Sequence, residues 1–171
     1  MQCLILAGGL GTRMKPATDN VAKALIPVQG RPFADHQLTW LAAQGVKRVV
    51  YAIGHMGGQI RDFVGDGGDW GLEAAYSDEG DRSLGTGGAV RLAQDEGVLD
   101  RGFLVLYCDS YLSVDVQAVW AASDQGGHPL MCVHRNDGRW DASNAIFEKG
   151  LVTKMEKGRE DAQAIGMAYI D

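Results

Sequence analysis

Residues 4–13 read LILAGGLGTR, a short apolar run followed at once by a loop with three glycines. A continuous apolar run of this length is typical of a strand buried on both faces of a parallel sheet. Glycine has no Cβ atom, so the backbone N–H groups of such a loop approach a phosphate closely, and Arg13 adds positive charge. The stretch therefore predicts a strand that ends in a triphosphate-binding loop.

Two familiar phosphate-binding motifs do not fit this loop. A Walker loop places Lys after its last glycine and Ser or Thr after that, whereas Thr12 and Arg13 follow Gly11. The dinucleotide fingerprint requires a further glycine where Met14 stands, and Pro16 disfavours a helix at that point. A plain strand-to-loop turn is the remaining alternative, but a turn seldom needs three glycines.

Strand and helix patterns alternate along the chain and predict an α/β fold. Apolar runs typical of buried parallel strands lie at residues 3–7, 48–53, 103–107 and 130–133. Helical patterns lie at residues 33–43, 58–64, 88–94 and 114–122. We expect one domain over residues 1–171, with a doubly wound, mainly parallel, Rossmann-like sheet, helices on both faces, and a small β-rich sub-region near the C-terminus.

Composition narrows the classes of protein. The net charge of −6 and the pI near 5.1 argue against a nucleic-acid partner. Three cysteines without a Cys-x-x-Cys motif favour free thiols and a cytoplasmic location. No apolar stretch approaches the ~18 residues of a membrane span or resembles a signal peptide, so we expect no membrane partner. A homo-oligomer is left open.

A second block that carries a lysine follows the loop, since residues 22–28 read AKALIPV. Together with residues 6–13 it resembles the signature of the sugar-1-phosphate nucleotidylyltransferases, or NDP-sugar pyrophosphorylases. Ala22 stands where a proline often precedes the lysine in that family. The resemblance implies transfer of a nucleotidyl group from an NTP to a sugar 1-phosphate, giving an NDP-sugar and pyrophosphate. Residues 31–33 and 141–144 resemble the branch that acts on heptose or mannose 1-phosphate with GTP.

The resemblance also implies roles for individual residues in the two blocks. Arg13 steadies the leaving pyrophosphate, and Lys23 brings the two anionic substrates together, so both are expected to be catalytic. The same resemblance implies that Arg13 and Lys23 bind the nucleotide. The other residues implied to bind it are Ala7, Gly8, Gly9, Gly11 and Thr12.

A single carboxylate, Asp109, follows the apolar run at residues 103–107. Mg²⁺ in phosphoryl-transfer sites is held by one or two carboxylates plus phosphate oxygens, and the family has a metal-binding Asp at this strand end. We therefore expect Asp109 to bind Mg²⁺. The alternative is an Asp that forms a turn with its own backbone.

Further candidates lie in four segments. Residues 84–89 read LGTGGA and open a helical pattern, so Gly85 and Thr86 are expected at the ribose or base. The Glu79 carboxylate is a candidate hydrogen-bond acceptor for N–H groups of the nucleotide base, but it does not indicate which base is bound. Residues 153–158 resemble the family's Glu-Lys-Pro block, which implies that Lys157 binds the sugar phosphate and Glu156 the sugar. Asn144 is a further candidate for the sugar, and polar surface is the alternative for all three.

Two other functions remain open at this point. One is a cytidylyltransferase that acts on a non-sugar phosphate such as phosphocholine. The other is a nucleotide-binding regulatory domain without catalysis. Members of the resembled family continue beyond 171 residues and carry a second metal-binding carboxylate there, so we expect this chain to be truncated at its C-terminus.

Overall fold

The computed structural model describes residues 1–126, 129–136, 139, 142–156 and 164–170. Four parallel strands form its centre: β1 (Gln2–Ala7), β4 (Arg48–Ile53), β5 (Glu73–Asp78) and β6 (Leu104–Tyr107). They lie in the order β5-β4-β1-β6. Every residue of β1 is buried, because this strand is central and covered on both faces. The predicted strands at residues 3–7, 48–53 and 103–107 are thus confirmed to within one residue.

Four helices cover both faces of this sheet. Helices α1 (Phe33–Ala43), α2 (Gly57–Val64) and α4 (Val116–Gly126) pack on one face, against alternate β1 side chains such as Cys3 and Ile5. Helix α3 (Gly85–Asp95) packs on the other face, against Leu4 and Leu6. The period-two alternation of a strand sends neighbouring apolar side chains to the two layers. The doubly wound α/β architecture is therefore confirmed.

Helix α3 begins at Gly85, three residues before the predicted start at residue 88. Gly85, Gly87 and Gly88 lie in its first turn, and glycine has a low helix propensity. The structure shows what offsets that disadvantage, because the Glu79 carboxylate accepts the Leu84 N–H at 3.1 Å. A negative charge at a helix N-terminus is stabilising, and here it comes from a residue outside the helix.

The second half of the sheet is antiparallel and corrects one prediction. Strand β10 (Ala164–Ile170) lies beside β6, and β7 (Leu130–Arg135) pairs with β10, so residues 130–133 are not a parallel strand. Nor is β7 buried on both faces, since Leu130 and Cys132 pack against the core cluster and its last two residues are exposed. A short apolar run looks the same in both settings, which is why its pattern misled.

Two hairpins complete the sheet structure. Strands β8 (Ala145–Glu148) and β9 (Leu151–Met155) pair antiparallel and join the main sheet through β10. The short strands β2 (Pro27–Val28) and β3 (Arg31–Pro32) pair between the glycine loop and α1. The predicted β-rich sub-region is confirmed, and it continues the main sheet. Within the part of the chain described, no helix is long and apolar enough to cross a membrane.

Candidate active site

A cleft of about 290 Å³ opens at the carboxyl ends of the parallel strands. Loops after β1, β5 and β6 meet there, as expected where ligands bind to an open α/β sheet. Ten of the predicted site residues line it: Gly8, Gly9, Gly11, Thr12, Arg13, Lys23, Glu79, Gly85, Thr86 and Asp109. The structure therefore brings together the candidates from five separate segments of the sequence.

The glycine loop presents backbone donors to this cleft. Among the described residues, the N–H groups of residues 9–13 have no hydrogen-bond partner. Gly11 has a φ of +63°, a left-handed conformation that favours glycine. Thr18, which is buried, donates from Oγ1 to the Gly11 carbonyl at 3.0 Å and so fixes the loop from behind. The arrangement is a set of preorganised amides suited to an anion.

Lys23 and Asp109 form an ion pair within the cleft. Lys23 begins a single 3₁₀ turn, Lys23–Leu25, and Asp109 follows β6. The Asp109 carboxylate is thus already presented to a cation. No group of three or more metal-ligating side chains occurs in the described ranges, so these residues do not enclose a metal ion by themselves. A lone carboxylate such as Asp109 is compatible with a Mg²⁺ whose other ligands are phosphate oxygens.

Gln59 holds the segment that carries Lys23, and sequence reasoning did not identify it. From helix α2, its Oε1 accepts the Ala22 N–H at 2.8 Å and its Nε2 donates to the Asn20 carbonyl at 3.1 Å. An amide side chain can satisfy one donor and one acceptor of a neighbouring segment in this way. Its sequence signal was only a polar residue on a helix with buried neighbours, which is not specific.

Glu79 lies behind the glycine loop and is only 8% exposed. A Cβ atom on Gly8 would lie 2.3 Å from its Oε1, and one on Gly54 would lie 3.0 Å from the same atom. These two glycines therefore leave the space that the carboxylate fills. One carboxylate oxygen also holds the start of α3, as described above. Glu79 lines the cleft as predicted, and its observed contacts are to the protein backbone around the loop.

The cleft has two chemically different walls. Arg13, Lys23 and Asp109 form a charged wall, and Leu6 with Ala52, Ala89 and Tyr107 forms an apolar wall. Cys108 also reaches the cleft, but burial raises the pKa of its thiol to about 12, so it is no nucleophile at neutral pH. A charged wall beside an apolar one suits a ligand with a phosphate chain and a flat ring.

The remaining candidates lie elsewhere. Ala7 is 5% exposed and packs in the core beneath the loop. Asn144 and Glu156 are not among the residues that line the cleft; they flank the β8–β9 hairpin, where the Glu156 N–H donates to the Asn144 carbonyl at 2.7 Å. Lys157 lies outside the described residues. The acceptor-side assignments therefore stay predictions.

Residues 3–168 match the family described as "MobA-like NTP transferase domain". The chain belongs to this family of nucleotidyltransferases.

Curated relatives point to sugar phosphates. Over 121 residues, the chain is 36% identical to N-acetylmuramate alpha-1-phosphate uridylyltransferase of Neisseria meningitidis, covering 70% of this chain and 52% of that protein. Over 91 residues it is 36% identical to D-glycero-alpha-D-manno-heptose 1-phosphate guanylyltransferase of Campylobacter jejuni, covering 53% of this chain and 40% of that protein. The resemblance to sugar-1-phosphate nucleotidylyltransferases is thereby confirmed.

Solved structures agree on the fold. HddC from Yersinia pseudotuberculosis, in complex with GMP-PN, superposes with a TM-score of 0.79 at 25% identity, covering 99% of this chain and 75% of that one. The chain spans about a third to a half of the length of the curated relatives it matches.

Proposed function

We propose that this cleft transfers a nucleotidyl group from a nucleoside triphosphate to a sugar 1-phosphate, giving an NDP-sugar and pyrophosphate. The observation that carries the proposal is the convergence of free loop amides, Arg13 and the Lys23–Asp109 pair at one strand edge. The names of the relatives support a sugar phosphate as acceptor. They give no support to phosphocholine or to a purely regulatory domain.

The reaction would be a direct in-line displacement at the α-phosphorus. A phosphate oxygen of the sugar 1-phosphate attacks, the bond from the α-phosphorus to the bridging oxygen breaks, and pyrophosphate leaves with that electron pair. The nucleophile is already an anion at neutral pH, so no general base is needed. Catalysis then consists of positioning and charge neutralisation.

Each part of the cleft has one task in this scheme. The amides of residues 9–13 bind the triphosphate, and Arg13 stabilises the charge that develops on pyrophosphate. Lys23 bridges the two anions after leaving Asp109. Asp109, with phosphate oxygens, would hold Mg²⁺, which supplies further neutralisation of the phosphate charge.

For the substrates, we propose GTP with heptose or mannose 1-phosphate as the first pair. The support is the heptose 1-phosphate guanylyltransferase described above and a further relative, mannose-1-phosphate guanylyltransferase of Mycobacterium tuberculosis. The latter is 34% identical over 90 residues, covering 53% of this chain and 25% of that protein. A uridylyltransferase of equal identity to the former makes UTP the main competitor. The apolar wall of the cleft accepts the ring of any of these bases.

A single panel tests the proposal. Pyrophosphate release is measured for each of four NTPs against heptose, mannose and glucose 1-phosphates and phosphocholine, with Mg²⁺ present. We expect release with at least one sugar 1-phosphate and none with phosphocholine. Release with CTP and phosphocholine alone would favour the cytidylyltransferase. Nucleotide binding without release in any pairing would favour the regulatory domain.

A further inference from the structure

Gln37 is a fully buried polar residue on helix α1, with an exposed fraction of 0%. It lies among the core residues Ala34, Leu38 and Leu41, where an apolar side chain is expected. Its Nε2 donates to two backbone carbonyls, that of Tyr107 at 3.0 Å and that of Ser110 at 2.8 Å. These carbonyls stand on either side of Cys108 and Asp109.

The segment held by Gln37 is a tight turn. The Ser110 N–H donates to the Tyr107 carbonyl at 3.1 Å, and the Cys108 N–H donates to the Leu6 carbonyl at 3.1 Å. Asp109 is therefore carried by a turn anchored to β1 on one side and to Gln37 on the other. Fixing the backbone on both sides of Asp109 sets the direction in which its carboxylate enters the cleft.

Stability alone does not explain this amide. Its Oε1 is buried without a hydrogen-bond partner among the described residues, and an unsatisfied buried carbonyl oxygen is unfavourable. The same helix also binds the segment that carries Lys23, because the Phe33 N–H donates to the Ile26 carbonyl at 3.0 Å. Helix α1 thus connects both members of the Lys23–Asp109 pair.

We propose that Gln37 is a positioning residue that aims the Asp109 carboxylate at the metal and the triphosphate. This inference rests on the proposed function, because it takes Asp109 as the metal ligand. Partners that orient a metal ligand typically change metal affinity by about 10- to 100-fold when removed. Gln37 would act through the Tyr107–Ser110 turn and would not touch substrate.

The test replaces Gln37 by Met, which keeps the length of the side chain and removes its donors. The matched control is Gln2→Met. Gln2 is 1% exposed, donates to the Val98 carbonyl at 3.1 Å and accepts the Asp100 N–H at 2.7 Å, at the amino end of β1, away from the cleft. Both variants lose two hydrogen bonds of a buried amide. Only Gln37→Met is expected to loosen the turn that carries Asp109.

Two measurements are made on each protein. Amide hydrogen exchange of Ser110 in the metal-free protein reports the turn directly. Mn²⁺ titration in the presence of GTP, followed by the EPR signal of free Mn²⁺, reports the metal site. We expect Gln37→Met to speed Ser110 exchange and to raise the Mn²⁺ dissociation constant by about 10-fold or more. Gln2→Met leaves both values as in the wild type.

The outcomes separate this inference from the function beneath it. If the wild type binds Mn²⁺ no more tightly than Asp109→Asn does, the assignment of Asp109 as a metal ligand is overturned. If Gln37→Met binds Mn²⁺ as tightly as the wild type, the role of Gln37 is overturned and the metal site stands. The same holds if Gln2→Met loses as much Mn²⁺ affinity as Gln37→Met. If Gln37→Met does not fold, Gln37→Asn, which keeps the donors on a shorter side chain, is judged by the same two measurements.

Discussion

The candidate residues for the two ends of the proposed reaction lie in unlike parts of the molecule. The nucleotide end is built on the carboxyl edge of the parallel strands, where polar side chains, buried ones except for Gln59, hold each segment. The described acceptor candidates, Asn144 and Glu156, flank the β8–β9 hairpin on the antiparallel side, where Phe147 is 46% and Leu151 68% exposed. The difference is one of support: side chains of other segments hold the loops of the first region by hydrogen bonds, whereas the second region carries exposed apolar side chains.

The support at the nucleotide end comes from residues that contact backbone. Thr18 binds the Gly11 carbonyl, Gln59 binds the segment before Lys23, Gln37 binds the turn of Asp109, and Glu79 binds the start of α3. Each removes freedom from one segment before a ligand arrives. Preorganised donors are effective because no reorganisation is needed during reaction.

The largest effect is expected at the carboxylate of this supported region. Asp109→Asn keeps the shape and removes the charge, so we expect turnover to fall by about 1,000-fold and its Mg²⁺ dependence to disappear. Mg²⁺ titrations of pyrophosphate release measure both. The control is Asp115→Asn, because Asp115 caps α4 through bonds to Gln117 and Ala118 and lies outside the cleft lining. If Asp109→Asn keeps the Mg²⁺ dependence of the wild type, Asp109 is a turn-forming residue and not a metal ligand.

A smaller effect is expected at the two cations of the same wall. Arg13→Ala and Lys23→Ala should each lower turnover by about 100-fold, the loss of roughly 3 kcal/mol of charge stabilisation. Lys15→Ala is the control, since Lys15 is exposed, lies outside the cleft lining and pairs with Asp19 at 3.5 Å. Steady-state rates of pyrophosphate release decide. If either cleft variant keeps half its rate, the triphosphate assignment of the loop is wrong.

The sequence predicted the supported region well for a physical reason. Buried parallel strands and a glycine loop with Arg13 and Lys23 are local patterns, and the strand edge brings their ends together. The supporting amides were not predictable, because nothing in the local sequence distinguishes Gln37 or Gln59 from a glutamine that contacts only solvent. Strand β7 was assigned wrongly because a run of four apolar residues does not show which strand it pairs with, or whether the pairing is parallel or antiparallel.

The acceptor side offers a selective test of moderate size. Lys157→Ala should weaken sugar 1-phosphate binding by about 10- to 100-fold, the value of one charge-assisted hydrogen bond to phosphate, and leave NTP binding unchanged. Lys149→Ala is the matched control, because Lys149 is an exposed lysine in the turn between β8 and β9. Paired titrations with NTP and with sugar 1-phosphate measure the selectivity. If wild type and Lys157→Ala bind the sugar 1-phosphate with equal affinity, Lys157 does not bind the acceptor phosphate and other residues must do so.

The smallest effect tests whether the loop is rigid before a nucleotide binds. Gly11→Ala introduces a Cβ atom at a φ of +63° and 2.9 Å from the Thr18 Cγ2 atom, so two separate strains must be relieved. Gly9→Ala, two residues earlier, meets nothing within 4 Å and has no positive φ, so the pair differs in strain and shares the same chemistry. We expect Gly11→Ala to lower the free energy of unfolding by about 1–2 kcal/mol and Gly9→Ala by less than about 0.5 kcal/mol. Urea unfolding without ligand measures both values. If the two variants are equally stable, the loop adapts freely in the absence of nucleotide, and its free amides would be ordered only by the triphosphate.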